Sequence, residues 1–162
     1  MQIKRIKFID TLFMLILFFL FTVLSLFVIV IGAHAYNGIV QDMDSNNQMR
    51  ASLSYVANKV RAGDESGAIT VDKINGQDVL TIRANYDGAE YRTYIYYYNG
   101  CIFEQFGKAE KAFQLGSGDK ITAVKAFHVE KNANNQLNLT ATDDKNRQLA
   151  LQIALRSVSS GG

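Results

Sequence analysis

The first pattern in the sequence is a long apolar run, residues 11–32, which contains no charged side chain. As a helix rising about 1.5 Å per residue it would be roughly 33 Å long, enough to cross a hydrocarbon core of about 30 Å. A helix that is apolar on all sides over this length is typical of a membrane span. The sequence therefore predicts one transmembrane helix, anchored by residues that include Thr11, Leu12, Phe13, Leu20, Phe27 and Gly32.

The charges that flank this run predict its orientation. Three basic residues, Lys4, Arg5 and Lys7, precede the run, whereas the first charges after it are acidic. Short basic flanks stay on the cytoplasmic side of a membrane. We therefore expect residues 1–10 to form a cytoplasmic leader, and the chain from Ala33 onward to lie outside the cell membrane of a single-pass protein.

A cleaved secretory signal is the alternative interpretation of the same region. The segment Ala33-His34-Ala35 fits the small-x-small cleavage rule and would leave Tyr36 as the first residue. Signal cores are about 7–15 residues long, so the run of residues 11–32 favours the uncleaved anchor. Both interpretations place the rest of the chain outside.

A helical pattern follows the apolar run. Apolar residues recur at spacings of three, four or their sums, at Val40, Met43, Leu53, Val56 and Val60. No proline occurs in the chain, so nothing forces a break. The pattern predicts one long helix from about Lys7 to Arg61, with a membrane half and an amphipathic half over 33–62, and a cap at Gly63.

Beyond Gly63 the period becomes two, which is typical of strands. Three Asn-Gly or Asp-Gly pairs, at 75–76, 87–88 and 99–100, predict tight hairpins because they tolerate positive φ angles. Residues 107–120 lack a pattern and are expected to form a loop or irregular edge. The predicted strands cover residues 68–74, 79–85, 91–98, 101–106, 121–130, 136–142 and 149–156.

The last predicted strand shows which face of the sheet is buried. Leu149, Leu151, Ile153 and Leu155 alternate with more polar or smaller residues, and the amphipathic half of the helix is expected to cover them. The fold class is therefore α+β, a long N-terminal helix packed on an antiparallel β-sheet meander. The β domain is expected over 63–157, followed by a disordered tail at 158–162.

The charge balance and the cysteine count of the chain limit its possible partners and its possible cross-links. Outside the leader, the chain contains 14 basic and 14 acidic residues, and this balance disfavours a nucleic-acid partner. The one cysteine, Cys101, excludes an internal disulfide. We interpret it as a small apolar side chain at the start of a strand, with intermolecular pairing or a reactive thiol as the alternative.

Signatures of catalysis, cofactor binding and metal binding are missing from the sequence. It has no nucleophile elbow, no glycine-rich phosphate loop and no His/Cys cluster at metal spacing. His128 is interpreted as a surface residue of its strand and His34 as an interfacial one. The acidic pairs at 64–65 and 143–144 are interpreted as solvated turn residues. We therefore expect no enzyme, no cofactor and no small-molecule substrate.

Tyrosines form the most suggestive surface feature. In the strand 91–98, Arg92, Tyr94, Tyr96 and Tyr98 share one face. Tyrosine and arginine are favoured anchors of protein interfaces, so this face is a candidate interface. The alternative is that cross-strand aromatic pairs simply stabilise the sheet.

The order of the predicted elements and two segments of the sequence are similar to those of a known group of proteins. MRASLSYVANKVRAGD (49–64) and YRTYIYYYNGCIFEQF (91–106) resemble the helix end and the "Y…dG.L.r" hairpin of the larger minor pseudopilins. The chain is thus similar to minor pilins and pseudopilins of type IV pilus, type II secretion and competence systems. It also resembles single-span chains of unknown function from Gram-positive bacteria.

The resemblance implies a processing site near Phe8. Prepilin peptidase sites have a small residue, usually glycine, before an aromatic first residue, and a glutamate at the fifth mature position. Phe8 matches the aromatic residue, but Lys7 replaces the glycine and Leu12 replaces the glutamate. Asp10, at the third position, either pairs with the amino terminus of a neighbouring subunit or is a helix-start carboxylate favoured by the helix dipole.

The resemblance implies a non-enzymatic structural subunit whose transmembrane helix packs against other pilin-like subunits. The alternative is a stand-alone, signal-anchored extracellular domain that binds or senses a ligand. A small exported hydrolase is disfavoured because no catalytic constellation is visible in the sequence.

Overall fold

A computed structural model describes residues 2–156, with side chains from Ile9 onward. It confirms the α+β class, with one long helix, α1 (Gln2–Ala62), before eight strands. The predicted tail at 158–162, and the side chains of Lys4, Arg5, Lys7 and Phe8, lie outside the described residues. The strands are β1 (Ile69–Ile74), β2 (Gln77–Tyr86), β3 (Ala89–Tyr98), β4 (Cys101–Lys108), β5 (Asp119–Ala123), β6 (Ala126–Lys131), β7 (Gln136–Thr142) and β8 (Gln148–Ala154).

The chain divides into two compact units, Met1–Asp44 and Ser45–Gly162. The first unit is helical and carries the apolar run. Its most apolar window has a mean hydropathy of 3.1 and is 0% buried, so it is long and apolar enough for a membrane span or a signal anchor. The predicted anchor residues, Thr11, Leu12, Phe13, Leu20, Phe27 and Gly32, are all exposed.

In the second unit, one face of the helix enters the main hydrophobic core. Its buried residues, spaced three, four or one apart, are Met49, Leu53, Val56, Ala57 and Val60. They share this core with residues of both sheets, among them Ile95, Leu139 and Ile153. Burial of this face is the main reason that this part of the chain is helical, since isolated helices are marginal in water.

Gly63 ends the helix for a different reason from the one predicted. Its N–H donates to the Lys59 carbonyl at 3.0 Å, but its φ is not positive. A Cβ at this position would instead overlap Cγ2 of Ile82 in the core. The glycine therefore allows the helix end to approach β2 closely, and the left-handed conformation falls at Gly67, with φ of 72°.

The first sheet is antiparallel, in the order β1-β2-β3-β4-β5. The three predicted tight hairpins connect β1 to β2, β2 to β3 and β3 to β4. Both residues of each turn have positive φ, for example 44° at Asn99 and 77° at Gly100. Such turns match the twist of paired strands.

The strand predicted over 121–130 is wrong, because the structure contains two strands there, in different sheets. The Val124 N–H donates to the Gly100 carbonyl beside β4, whereas the next N–H, of Lys125, donates to Thr142 of β7. The chain therefore leaves one sheet and enters the other between these two residues. As a result the β region is two sheets, the second in the order β6-β7-β8.

The second sheet shows the predicted alternation. Leu137, Leu139 and Ala141 of β7 are fully buried, and Ile153 of β8 is also in the core. Leu149 and Leu151 are half-buried and pack against the core. The prediction that this apolar row faces the core is confirmed.

Candidate functional site

The predicted tyrosine interface lies largely in a second hydrophobic cluster. Tyr94 and Tyr96 are buried, on the face of β3 opposite the main core, together with Val79. The prediction of an exposed tyrosine row is corrected for these two residues. Tyr98 is half-buried beside the same cluster.

The irregular segment between β4 and β5 covers these tyrosines. Phe113 of that segment contacts the rings of Tyr94 and Tyr96, with ring centroids 5.1 and 4.9 Å apart. The Tyr96 hydroxyl donates to the carbonyl of Ser117. Burial raises the pKa of Tyr96 above its ordinary value, because an ionised phenolate would lose its hydration.

Close backbone packing fixes this covering segment. Gly118 has φ of 104°, and a Cβ there would overlap backbone atoms of Glu104. Gln105 of β4 holds the same segment through its side-chain oxygen, which accepts from the Gln114 N–H at 3.2 Å and from the Ser117 hydroxyl at 3.0 Å. The segment predicted as a loop is irregular, as expected, but it is part of the packed domain.

Arg92 remains at the surface of the same face. Its Nε lies 2.8 Å from Oε1 of Glu90, and both side chains are partly exposed. An interface through Arg92 and the exposed part of Tyr98 stays a prediction.

A different aromatic row is exposed, and the sequence analysis missed it. It consists of Tyr86 of β2, Tyr91 of β3 and Phe106 of β4, and the Tyr91 ring contacts the other two rings. The Tyr86 and Tyr91 ring centroids are 5.6 Å apart and edge-on, and those of Tyr91 and Phe106 are 5.4 Å apart and stacked. We name these three residues the aromatic row. Tyr86 and Phe106 are more than half exposed.

The aromatic row lies on the same sheet face as the main core. Tyr91 has the parity of Ile95 along β3, and Phe106 has the parity of Ile102 along β4. A shallow groove beside Tyr86 and Phe106 also includes Gly63 and Glu65, just after the helix. The helix ends before it covers this part of the sheet, so the rings stay exposed. The alternation in the sequence indicates that these three residues share the core face of the sheet. Their exposure could be predicted only by knowing where the helix ends.

A buried carboxylate, Glu104, links the helix to β4. Its Oε2 accepts from the Tyr55 hydroxyl at 2.6 Å, and its Oε1 accepts from Lys59 Nζ at 2.8 Å. The Lys59 ammonium also lies 5.4 Å from the centre of the Tyr55 ring. The Glu104 side chain is 10% exposed and that of Lys59 is 40% exposed. We call these three residues the Glu104 cluster.

The hydrogen bonds of the Glu104 cluster shift two pKa values upward. The bond to Glu104 is the largest cause of the raised pKa of Tyr55, and burial adds to it. The bond to Glu104 also raises the pKa of Lys59, although burial partly opposes this. The carboxylate thus favours the protonated forms of both partners, as expected next to a negative charge.

Asp143, interpreted from the sequence as a solvated turn residue, is buried in the β7–β8 turn, so that interpretation is wrong. Its Oδ1 accepts from the N–H groups of Lys145 and Arg147, at 3.0 and 2.8 Å, and its Oδ2 lies 2.6 Å from Arg147 Nε. Burial alone would raise the pKa of Asp143, but the Arg147 guanidinium and these N–H groups outweigh it and lower the pKa below its ordinary value.

We expect Asp143→Asn to destabilise the second unit at neutral pH and to lose this effect in acid. Since the folded pKa is depressed, the carboxylate stabilises the fold above its unfolded pKa of about 4, and this stabilisation is lost as pH falls through the folded value. Denaturant unfolding between pH 2 and 7 would measure it. Asp144→Asn, next to it and exposed, is the control; equal pH profiles for both variants would contradict the prediction.

The remaining predicted residues are dispersed. Asp64 is not simply solvated, because its Oδ2 accepts from the Arg156 N–H at 2.6 Å. His128 is exposed, as predicted, with Nδ1 3.3 Å from Oδ2 of Asp78. Cys101 begins β4, as predicted, and is half-buried. His34 and Asp10 are exposed on α1.

Within the part of the chain that the structure describes, no three His, Cys, Asp or Glu residues come close enough to hold a metal ion. One surface groove lies between Ser52 and Tyr55 of the helix and Ile121 of β5. The structure therefore offers packing surfaces and an exposed aromatic row as its candidate sites.

The model of a family described as "Domain of unknown function (DUF4860)" matches residues 47–144 of the chain. No curated protein and no solved structure matches the chain. The matched region runs from the core-forming part of the helix through β7, and contains the Glu104 cluster and the aromatic row.

Proposed function

We propose that this chain, which belongs to the DUF4860 family, is a membrane-anchored structural subunit, without enzymatic activity, similar to a minor pilin or pseudopilin. It would serve a type IV pilus, a secretion system or a competence-type apparatus. Its partners would be the membrane and other pilin-like subunits, not nucleic acid.

One observation carries this proposal. The helix α1 includes both the exposed apolar residues 11–32 and the buried core residues Met49 to Val60. The helix that would enter the membrane therefore also contributes to the core of the sheet unit. This arrangement supports an assembly role, because association of such helices in a bilayer would carry their β domains with them.

The apolar segment also has chemistry that suits helix association. Thr22, Ser25 and Gly32 are small or hydroxylated, and such residues let helices approach closely in membranes. The Thr22 hydroxyl donates to the Phe18 carbonyl at 2.9 Å, so it carries no unsatisfied donor into lipid.

We further propose that the amino terminus is cytoplasmic and the β domain extracellular, on the basis of Lys4, Arg5 and Lys7. In a Cys101→Ser background, a membrane-impermeant maleimide applied to intact cells should label Glu110→Cys, which is exposed in the second unit. Gln2→Cys, in chains that still carry residues 1–7, should be labelled only after lysis. The reverse pattern would overturn the orientation.

The test of the proposed function is the intact mass of the protein extracted from its native membrane. We expect a mass that starts at Phe8, with a methylated amino terminus, if a prepilin peptidase processes the chain. We also expect copurification with other single-span subunits in mild detergent. A mass that starts at Tyr36 would mean a secreted protein and would contradict membrane assembly. A full-length chain that purifies without such subunits would contradict it as well.

A stand-alone binding or sensing domain is the second candidate, and the aromatic row favours it. Contiguous exposed apolar surface beside a groove is typical of a binding site. On this candidate, Tyr86→Ala and Phe106→Ala would abolish ligand binding by a monomeric chain. In the structural subunit, the same variants would leave copurification through the membrane helix unchanged.

A further inference from the structure

The strand β8 is a sheet edge. It pairs with β7 on one side, and among residues 2–156 no strand pairs with its other side. Such an edge presents a row of backbone N–H and C=O groups that can pair with another strand.

This edge lacks the usual protection against pairing. The seven residues of β8, QLALQIA, include no charge, no proline and no glycine. By contrast, the edge strand β5 starts with Asp119 and Lys120, and β4 has a register shift beside it. The edge strand β1 contains Asp72 and Lys73. Natural proteins protect sheet edges with charges and irregularities of this kind.

The side chains of β8 suit an added strand. On one face, Ala150, Gln152 and Ala154 are exposed, small or neutral. On the other, Leu149 and Leu151 are only half-buried at the margin of the main core. A further strand would cover these two leucines and satisfy the free backbone groups together.

We propose that β8 pairs with β8 of a second copy of this chain, antiparallel and centred on Leu151. In this register all seven residues are paired, and both copies keep their leucines on the core side. A shift by one residue would reverse the faces. Ala150 then lies opposite Gln152 of the second copy, and the two three-stranded sheets become one of six strands.

The occupant is a second copy because this surface is complementary to itself under a two-fold axis. An isologous contact of this kind places the same uncharged strand on both sides. It closes after two copies, so it differs from the packing of membrane helices and does not depend on the proposed function.

A cysteine pair tests the register in the full-length chain in detergent micelles. In a Cys101→Ser background, only Leu151 faces its own equivalent, so Leu151→Cys should form an intermolecular disulfide under mild oxidation. Paired Cα atoms in antiparallel strands are about 4.5–5.5 Å apart, within disulfide range. Leu149→Cys is the matched control and should not cross-link. Equal cross-linking of both, or of neither, would overturn the proposal.

A charge exchange tests the interface without cysteine chemistry. Each introduced charge would lie diagonally from its own equivalent in the second copy, so Ala150→Glu alone and Gln152→Lys alone should each weaken the dimer about two- to fivefold in sedimentation experiments. The double variant places opposite charges across the interface and should restore it. Ala123→Glu, on the β5 edge, should leave the dimer unchanged. A chain that stays monomeric, or single variants that dimerise as the parent does, would overturn the proposal.

Discussion

Replacing Tyr96 by alanine is expected to lower the free energy of unfolding of the second unit by about 3–5 kcal/mol. The Tyr96 side chain is 0% exposed, and its ring contacts Phe103 and Phe113, with ring centroids 6.0 and 4.9 Å away. The truncation would leave a cavity beneath the 109–118 segment and remove the hydrogen bond to Ser117. Denaturant unfolding of the full-length chain in detergent would measure the loss.

Two control variants separate the loss of ring packing from other causes of a lower unfolding free energy. Tyr96→Phe removes only the hydroxyl and should cost about 1 kcal/mol. Phe106→Ala removes an aromatic ring of similar size that is 56% exposed, and should cost far less than Tyr96→Ala. If Tyr96 were instead an anchor for an external partner, Tyr96→Ala would leave unfolding unchanged and weaken association only.

The helix and the hairpins were predictable because they depend on local chemistry. Asn99-Gly100 defines its turn through the conformational preferences of two adjacent residues, and the structure places both at positive φ. The apolar run needs no tertiary contact to be recognised, since a bilayer requires only length and composition. Gly63 was placed at the correct end of the helix, although its close contact with Ile82 is not local.

The division into two sheets was harder to predict. Val124 and Phe127 are both buried, three residues apart, whereas one strand would bury every second residue. This change of phase was present in the sequence, but residues 121–130 contain no glycine, proline, asparagine or aspartate to mark a break between two strands. Only the hydrogen-bond partners of the Val124 and Lys125 N–H groups show where the chain passes from the first sheet to the second.

The candidate sites depend on contacts between distant segments, and the sequence alone gave little access to them. Tyr94 and Tyr96 were taken for surface residues because nothing in the sequence indicates that residues 113–117 fold back over them. Asp143 and Glu104 have ordinary sequence neighbours, and their burial follows from the turn and from the helix that pack against them.

Replacing Glu104 by alanine is the second large effect that we expect, a loss of about 1–3 kcal/mol of unfolding free energy. The carboxylate is buried and holds two groups of the helix, the Tyr55 hydroxyl and the Lys59 ammonium. Lys59 is 40% exposed, so water screens its ion pair and it contributes less than about 1 kcal/mol. Tyr55 is 41% exposed, so water screens its bond as well, but that bond is the shorter of the two, at 2.6 Å to an ionised acceptor, and it carries more of the effect.

A double-mutant cycle measures that bond directly. Glu104→Gln keeps the shape of the side chain but removes its charge, and Tyr55→Phe removes only the donor. We expect a coupling energy of about 1 kcal/mol between them, whereas Lys111→Ala, an exposed lysine outside the Glu104 cluster, should show none with Glu104→Gln. Additive effects of Tyr55→Phe and Glu104→Gln would contradict a bond that contributes to stability.

The same cluster predicts sensitivity to alkali. The folded-state pKa values of Tyr55 and Lys59 are both raised, chiefly by their bonds to Glu104. Groups of this kind stabilise the fold fully below their unfolded pKa, about 10, and this stabilisation is lost as pH rises through the folded values. Stability of the parent chain should therefore fall more steeply above about pH 10 than that of Glu104→Gln. Parallel profiles would mean that the helix is held to the sheet by its buried face alone, from Met49 to Val60.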